Sequence, residues 1–308
     1  MKKTAIHKMI RGNRKINLSG ICKLLIFAAV CQSFGSCVKD DLHNTPHPDK
    51  GAVRVTTDWT GRSEEAVQPE NYLLRIGEES QEVTAETNTF KSLLAPGTYR
   101  LLAYNTPEGV SVTGNTATVD TKDDGTLTPQ PGYLFSAGKE LDVAADDTLK
   151  ITLPMQQYMR CLTLTLQLAE GDKERIAGTA ATLTGIAHSL DLTTGEQTAG
   201  QTGRTVAPEF RFGTVTPTRA EGKPALAAML RLMGVITSER QTLTLAVPLT
   251  DGSVQTIRTD LTEMLKDFGG TDRKPLTLDA LLNLPTASSM GGTITGWTEV
   301  DNGDITIH

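Results

Sequence analysis

The residue with the clearest chemistry is Cys37, which follows a short apolar run and two small residues, Gly35 and Ser36. The apolar run at 24–31 is shorter than the roughly 20 residues that a membrane-spanning helix needs. Seven basic and no acidic residues lie in 1–36, which is typical of a secretory signal peptide that is later removed. Small side chains directly before a cysteine are what a lipoprotein signal peptidase needs at its cleavage site, and the cysteine thiol can carry diacylglycerol. We therefore predict a lipoprotein signal peptide over 1–36 and lipidation at Cys37, the alternative being a plain secretory signal with Cys37 an ordinary thiol.

The residues directly after Cys37 predict where the lipidated protein goes. Lys39, Asp40 and Asp41 resemble the export tag that directs lipoproteins of Bacteroidota to the outer face of the outer membrane. The alternative is that these three charged residues are only the solvent-exposed start of a linker. Residues 37–50 are polar, contain proline and lack periodicity, which predicts a flexible tether behind the lipid. We expect a lipid-anchored, surface-exposed protein of the outer membrane.

Two further clusters contain residue types that bind metals. His43 and His47 lie in the tether, and a flexible histidine pair without further ligands makes a poor metal site. The segment 120–125, DTKDDG, resembles a calcium-binding loop, but Lys122 occupies a ligand position and Pro131 stands where the bidentate glutamate belongs. We predict no metal and no other cofactor.

Catalytic and carbohydrate-binding candidates are equally weak. His188, Ser189 and Asp191 lie in an extended segment, where His188 and Ser189 point to opposite faces, so we expect no catalytic triad. The chain has no G-x-S-x-G, H-E-x-x-H, P-loop or G-x-G-x-x-G motif, which favours a non-enzymatic role over a hydrolase. Trp59 and Trp297 each lie in an alternating strand, and we predict that both are core residues rather than sugar-stacking platforms.

Composition restricts the partners and the redox chemistry. After loss of residues 1–36 the chain keeps 23 Lys+Arg against 36 Asp+Glu, a formal charge of −13, which disfavours nucleic acid. Cys22 and Cys31 leave with the signal and Cys37 carries lipid, so Cys161 has no intramolecular disulfide partner. Cys161 precedes the alternating run LTLTLQL, which predicts a buried thiol that packs as a small hydrophobe.

Period-two alternation of apolar and polar residues predicts strands in most of the remaining chain. Strands separated by regular turn signals favour β-sandwich domains, and 154–160 is the expected boundary between domains at 51–156 and 157–308. Leu, Ala and Met also allow a helix at 226–233, although the context favours strand. The expected strands lie at 53–59, 72–76, 91–105 with a hairpin turn at Pro96-Gly97, 110–119, 134–135, 141–143, 149–153, 162–168, 182–192, 210–215, 226–236, 243–249, 254–258, 294–300 and 305–307.

Three local signals complete the secondary-structure prediction. Asp260 before 261–268 and Gly269 after it predict one short helix. Asp251-Gly252 predicts a hairpin turn, and Asn302-Gly303 predicts a terminal hairpin between the last two strands. Residues 123–132, rich in Gly and Pro, are predicted to be a loop.

Several segments together resemble one family. AVRVTTDW at 52–59, LLAPGTYRLLAYN at 93–105 and the stretches 181–196, 240–268 and 292–307 are similar to the fimbrillin-related lipoproteins of Bacteroidota. These include the anchor subunits of the major and minor fimbriae, which are type V pili. The resemblance implies an all-β fold of two tandem transthyretin-like, Greek-key β-sandwich domains with at most one or two short helices. It also implies a non-enzymatic fimbrial anchor or accessory subunit; the alternative is a glycan-binding surface lipoprotein.

The resemblance further implies how partners are held. Its members polymerise by donor-strand exchange, in which a strand of one subunit fills a groove in the next. Fimbrillin-type shaft or accessory subunits are the expected partners, together with the outer membrane through the lipid. Shaft subunits are first cut after an arginine, whereas an anchor stays uncut. Arg54 lies inside the first strand, so Arg62 is the one early position where a cut is plausible, and the strand at 305–307 suits either donation or completion of its own domain.

Overall fold

The computed structural model describes residues 48–215, 223–269, 273–285, 291–300 and 305–307. Within them, two four-residue helices occur, α1 (Asp172–Arg175) and α2 (Thr262–Leu265), and the rest of the regular structure is strand, which confirms the all-β prediction. None of the helices in these ranges is long and apolar enough to cross a membrane. The strands are β1 Ala52–Asp58, β2 Tyr72–Ile76, β3 Glu79–Val83, β4 Thr87–Thr89, β5 Gly97–Tyr104, β6 Val110–Thr113, β7 Thr116–Val119, β8 Phe135–Val143, β9 Thr148–Pro154, β10 Gln156–Gln157, β11 Arg160–Leu168, β12 Ala180–Ile186, β13 Ser189–Asp191, β14 Arg204–Val206, β15 Arg211–Val215, β16 Lys223–Leu232, β17 Thr242–Pro248, β18 Val254–Asp260, β19 Leu276–Asn283, β20 Thr293–Val300 and β21 Ile305–Ile307.

The first hydrophobic cluster is built from residues 53–155, where a three-stranded sheet (β4-β1-β9) contributes to the same core as a five-stranded one (β10-β8-β5-β2-β3). Because side chains alternate between the two faces of β1, Val53 and Val55 both point into the core and have no exposed surface. Trp59 meets Tyr72 and Phe135 edge to face, with ring centroids 5.6 and 5.4 Å apart. Its indole N–H donates to Thr57 Oγ1 at 2.9 Å, so Trp59 is a satisfied core residue as predicted.

The second cluster lies mostly in residues 158–294. Its walls are a six-stranded sheet, β20-β19-β11-β16-β15-β21, and a four-stranded sheet, β14-β12-β17-β18. The LTLTLQL run forms β11, and Leu162, Leu164 and Leu166 have no exposed surface. β11 pairs antiparallel with β16 and parallel with β19, so the alternating run becomes a central strand of the larger sheet.

The two clusters meet at β5. Leu101 and Ala103 face the first cluster, whereas Leu102 and Tyr104 on the other face of the strand belong to the second. Most of the predicted boundary at 154–160 is buried, with only residues 154 and 156 exposed; Met155 belongs to the first cluster and its neighbours at 158 and 159 to the second. Strands β6 and β7 also contribute to the second cluster. The division into domains at 51–156 and 157–308 therefore stays a prediction.

The predicted hairpin around Pro96-Gly97 is wrong. Only β5 follows the turn, and before it Leu94 exchanges two backbone hydrogen bonds with Gly51, at 2.8 and 2.9 Å. Pro96 has no N–H to donate to a ladder, which disfavours a paired strand at this point. Residues 91–96 instead close over the start of β1, where a Cβ on Gly51 would lie 2.2 Å from the Ala144 carbonyl oxygen.

The predicted terminal hairpin is also wrong. β20 pairs with β19 at one edge of the six-stranded sheet, whereas β21 pairs with β15 at the opposite edge. The predicted Asn302-Gly303 turn lies outside the described residues. A turn dipeptide expresses only a local preference, and the ladder with β15 overrides it. The C-terminal strand thus completes its own sheet.

Other local signals agree better with the structure. The Asp251-Gly252 hairpin joins β17 and β18 as predicted, with Ser253 N–H donating to Asp251 Oδ1 at 2.9 Å. Residues 226–232 are strand, within β16, and residue 233 follows its end. The helix expected at 261–268 is present but shorter, and Asp260 Oδ1 accepts from Thr262 N–H at its start at 2.9 Å. The sequence pattern misses α1, the polar edge strands β3 and β4, the short strands β10 and β14, the inner strand β19, and the continuity of β8 through Gly138.

Candidate functional site

The predicted attachment chemistry lies outside the described residues. Cys37, the Lys39-Asp40-Asp41 tag, His43 and His47 all precede Pro48, where the description begins. Lipidation and export therefore stay predictions. The structure does describe the chain that leaves the tether, because β1 starts only four residues after Pro48.

Strand β1 is held on both sides. All seven of its residues are in register with β9, from Ala52 opposite Thr148 to Asp58 opposite Pro154. On its other side Arg54, Val55 and Thr56 pair with β4. The first strand after the tether is therefore an inner strand whose apolar face lies in the core.

The loop after β1 contains Arg62, the one early arginine where proteolytic processing of the shaft-subunit type is predicted to be possible. Arg62 is exposed, and its guanidinium donates to Ala66 O at 3.1 Å and Trp59 O at 3.4 Å. Ser63 N–H donates to the buried Gln157 side chain at 2.9 Å. A cut after Arg62 would separate β1 from the rest of the chain inside a hydrogen-bonded loop.

The residues considered for nucleophilic catalysis are not brought together. Ser189 Oγ donates to Gln201 Oε1 at 3.3 Å, and Asp191 Oδ1 accepts from Thr193 N–H at 2.7 Å. The buried Nδ1 of His188 has no hydrogen-bond partner. Burial, and secondarily the charge of Arg204, lower the pKa of His188. The Ser189 and Asp191 side chains close the turns that flank β13, and none of the three side chains forms a nucleophile–base pair with another.

The calcium-like segment uses its carboxylates to close turns. Asp120 Oδ1 accepts from Ser111 Oγ at 2.6 Å. Asp124 Oδ1 accepts from both Thr126 Oγ1 and Thr126 N–H, and these bonds lower the pKa of Asp124. Across the described ranges, no group of three or more His, Cys, Asp or Glu is arranged to hold a metal ion.

The remaining single-residue candidates are structural. Trp297 is half-buried against the second cluster, and its N–H donates to Thr259 Oγ1 at 2.9 Å. Cys161 is buried as predicted, with its Sγ 3.1 Å from Tyr133 Oη. Burial and the neighbouring thiol raise the pKa of Tyr133. Trp59 is enclosed and offers no face to a sugar, whereas Trp297 packs only partly against the core and is less buried than predicted.

One feature of the surface is not visible in the sequence. Arg75 on β2 and Arg100 on β5 line a cleft of about 470 Å³ together with Gly77, Glu78, Leu102, Asn115 and Thr193. The two arginines are 25 residues apart in sequence, and only the register of β2 with β5 places them on one face. No local motif carries that information.

Comparison with known proteins supports one family. The family model of the fimbrillin-A associated anchor proteins Mfa1 and Mfa2 matches residues 42–303. No protein of curated function matches the chain.

Solved structures show the same fold at low sequence identity. The fimbrial anchor protein Mfa2 from Porphyromonas gingivalis superposes with a TM-score of 0.55 at 10% identity, covering 84% of this chain and 99% of that one. A candidate adhesin from Bacteroides thetaiotaomicron gives 0.55 at 14% identity, covering 77% and 92%. A candidate polysaccharide-binding protein from the same species gives 0.53 at 9% identity, covering 82% and 99%. The likeness to these structures shows the fold, and the family match over most of the sequence shows that the chain belongs to the fimbrillin-A associated anchor protein family.

Proposed function

We propose that this protein is a non-enzymatic lipoprotein that anchors a fimbrium to the outer membrane, or serves as an accessory subunit at its base. The family match over residues 42–303 is the observation that carries the proposal. Acyl chains on Cys37 would supply the membrane attachment, since each buried CH₂ contributes about 0.8 kcal/mol. Residues 37–41 would provide both the lipidation site and the export tag.

The position of β1 suits an anchor mechanically. The chain between Cys37 and Ala52 extends to at most about 50 Å, so tension on the lipid would reach the folded part directly through β1. Force along this strand would load its pairs with β9 and β4 together rather than one after another. An inner strand with two ladders resists extraction better than an edge strand with one.

Partners would be joined by β-augmentation, in which a strand from a fimbrillin-type subunit adds to a sheet of this protein or the reverse. Retention of β1 distinguishes an anchor from a shaft subunit that loses its first strand. Arg62 lies in a loop closed by its own hydrogen bonds to Trp59 and Ala66, which favours an uncut chain.

The test compares two cysteine variants in the native bacterium. Cys37→Ala should release the protein and its fimbriae into the medium, because the lipid attachment is lost. Cys161→Ala is the matched control, since the buried Cys161 thiol packs against Tyr133 and takes no part in attachment. Fimbriae that remain on Cys37→Ala cells, at the level of the control, would contradict the proposal.

A further inference from the structure

The cleft between Arg75 and Arg100 has the geometry of a binding site. Its floor is one face of two strands, because Arg75 lies opposite Leu102 and Arg100 comes two residues before Leu102 on the same face of β5. Its walls are the β6–β7 turn at Asn115 and the loop after β13 at Thr193. A volume of about 470 Å³ falls within the range of small-ligand pockets.

Both guanidinium groups are positioned by neutral oxygens. Arg75 Nη1 donates to Gly114 O at 2.9 Å, and its Nη2 donates to Asn115 Oδ1. Arg100 Nη2 donates to Thr193 O at 3.2 Å. Each guanidinium has five N–H donors, so these bonds leave several donors available to a ligand.

Neither arginine forms a direct ion pair in the part of the chain that the structure describes, although the charge of Arg100 helps to lower the pKa of the nearby Asp191 carboxyl. Glu140 is directly opposite Arg100 on β8 and Glu78 lines the cleft, yet neither forms an ion pair with Arg75 or Arg100. Arg75 also lies over the Tyr104 ring, 5.8 Å from its centroid, so both arginines are held in place without a direct ion pair. Both guanidinium groups therefore present N–H donors to a preformed concavity.

The walls are fixed before any ligand arrives. Ser136 Oγ donates to Leu192 O at 2.9 Å, and Leu192 N–H donates to Asn115 O at 2.7 Å, which ties the two walls to each other. Thr193 lies so close to β8 that a Cβ on Gly138 would be 3.2 Å from the Thr193 oxygen. A site whose walls are already ordered loses less conformational entropy on binding.

We propose that this cleft binds an acidic sugar, with its carboxylate held between Arg75 and Arg100. Planar guanidinium groups match a carboxylate through paired N–H donors. Glu78 would accept hydrogen bonds from sugar hydroxyls. Strand addition by a peptide is unavailable at the floor, because β2 and β5 are both inner strands of their sheet. This site is separate from fimbrial anchoring and stands whether or not the protein is an anchor.

The test is calorimetric titration of the mature protein in detergent with a galacturonate trimer, with the uncharged galactose trimer as the ligand control. We expect binding of the acidic trimer alone, weakening as salt is added. Arg100→Gln should lower the affinity about tenfold or more, because it removes the charged donor. Arg54→Gln, an exposed arginine on β1 away from the cleft, is the matched control and should change affinity less than about twofold.

Two further measurements keep the proposal open to contradiction. Arg75→Lys retains charge but not the planar donor pair, so an intermediate loss of affinity is expected with an unchanged unfolding midpoint. No binding of the acidic trimer, equal binding of the neutral trimer, or full affinity in Arg100→Gln would overturn the assignment. A peptide of equal negative charge that binds in place of the sugar would overturn it in favour of a protein ligand. Arg100→Gln should leave recovery of fimbriae on cells unchanged, which separates this result from the anchor test.

Discussion

The first and last strands of this protein are held very differently. β1 is an inner strand with a seven-residue ladder to β9 and a second ladder to β4, and its valines are fully buried. β21 pairs with β15 through three residues, at the edge of the six-stranded sheet. The strand nearest the predicted lipid is therefore built to stay in place, whereas the strand at the other end of the chain is retained by few bonds.

The largest expected effect comes from placing a charge on the buried face of β1. Val55→Asp would leave an unpaired carboxylate in the first core, and we expect a loss of about 4 kcal/mol or more in the free energy of unfolding. Arg54→Asp, one residue earlier on the exposed face, should change it by less than about 0.5 kcal/mol. Urea unfolding of both variants measures the difference, and similar losses would contradict the described orientation of β1.

Removal of the last strand should cost less. A chain that ends after residue 304 loses three residue pairs with β15, and we expect unfolding to become easier by about 1–3 kcal/mol. The same urea titration checks this. A loss as large as that of Val55→Asp would show that β21 is as integral to the fold as β1.

The processing loop should tolerate substitution. Arg62→Ala removes two hydrogen bonds to carbonyls at an exposed position, so we expect a stability change of at most about 1 kcal/mol. Mass spectrometry of the wild type and of Arg62→Ala, both recovered from cells, should give intact masses that differ only by the substituted side chain. The wild-type protein could instead yield a fragment that begins at Ser63, with no such fragment from Arg62→Ala. That result would show that the chain is cut after Arg62 and that β1 is released.

The smallest effect concerns the loop that walls the arginine cleft. Hydrogen bonds from Thr193 lower the pKa of Asp191, so the stability that this carboxylate contributes is present above its unfolded pKa. That contribution is lost as the pH falls through its folded pKa. Amide exchange at Thr193, corrected for the intrinsic pH dependence, should show protection that decreases below about pH 4. Asp191→Asn should remove this pH dependence, and unchanged protection in acid would contradict the assigned role.

The sequence predicts elements whose signals are local. Period-two alternation locates β1 and β11, and Asp251-Gly252 locates a hairpin, because these patterns act over a few residues. Sequence patterns fail at Pro96-Gly97 and at the last strand, where the pairing partner is distant in sequence. Gly138 and the charged residues after it interrupt the apolar pattern of β8, and the Thr193 carbonyl oxygen leaves little room for a Cβ at position 138.

The candidate sites divide in the same way. The short motif around Cys37 is visible in sequence, although it lies outside the described residues. The arginine cleft depends on the pairing of β2 with β5 and on loops that arrive from residues 114 and 193, so no single stretch of sequence could indicate it. The sequence therefore predicts the lipid attachment site, whereas the arginine cleft becomes visible only in the structure.

We propose that this protein joins fimbrial subunits at the membrane. The most direct measurement is isolation of the lipidated protein from outer membranes, followed by SDS gels of heated and unheated samples. Strand-joined complexes should survive SDS when cold and dissociate on heating, giving a ladder that contains a fimbrillin-type partner. A single monomeric band in both samples would contradict the account.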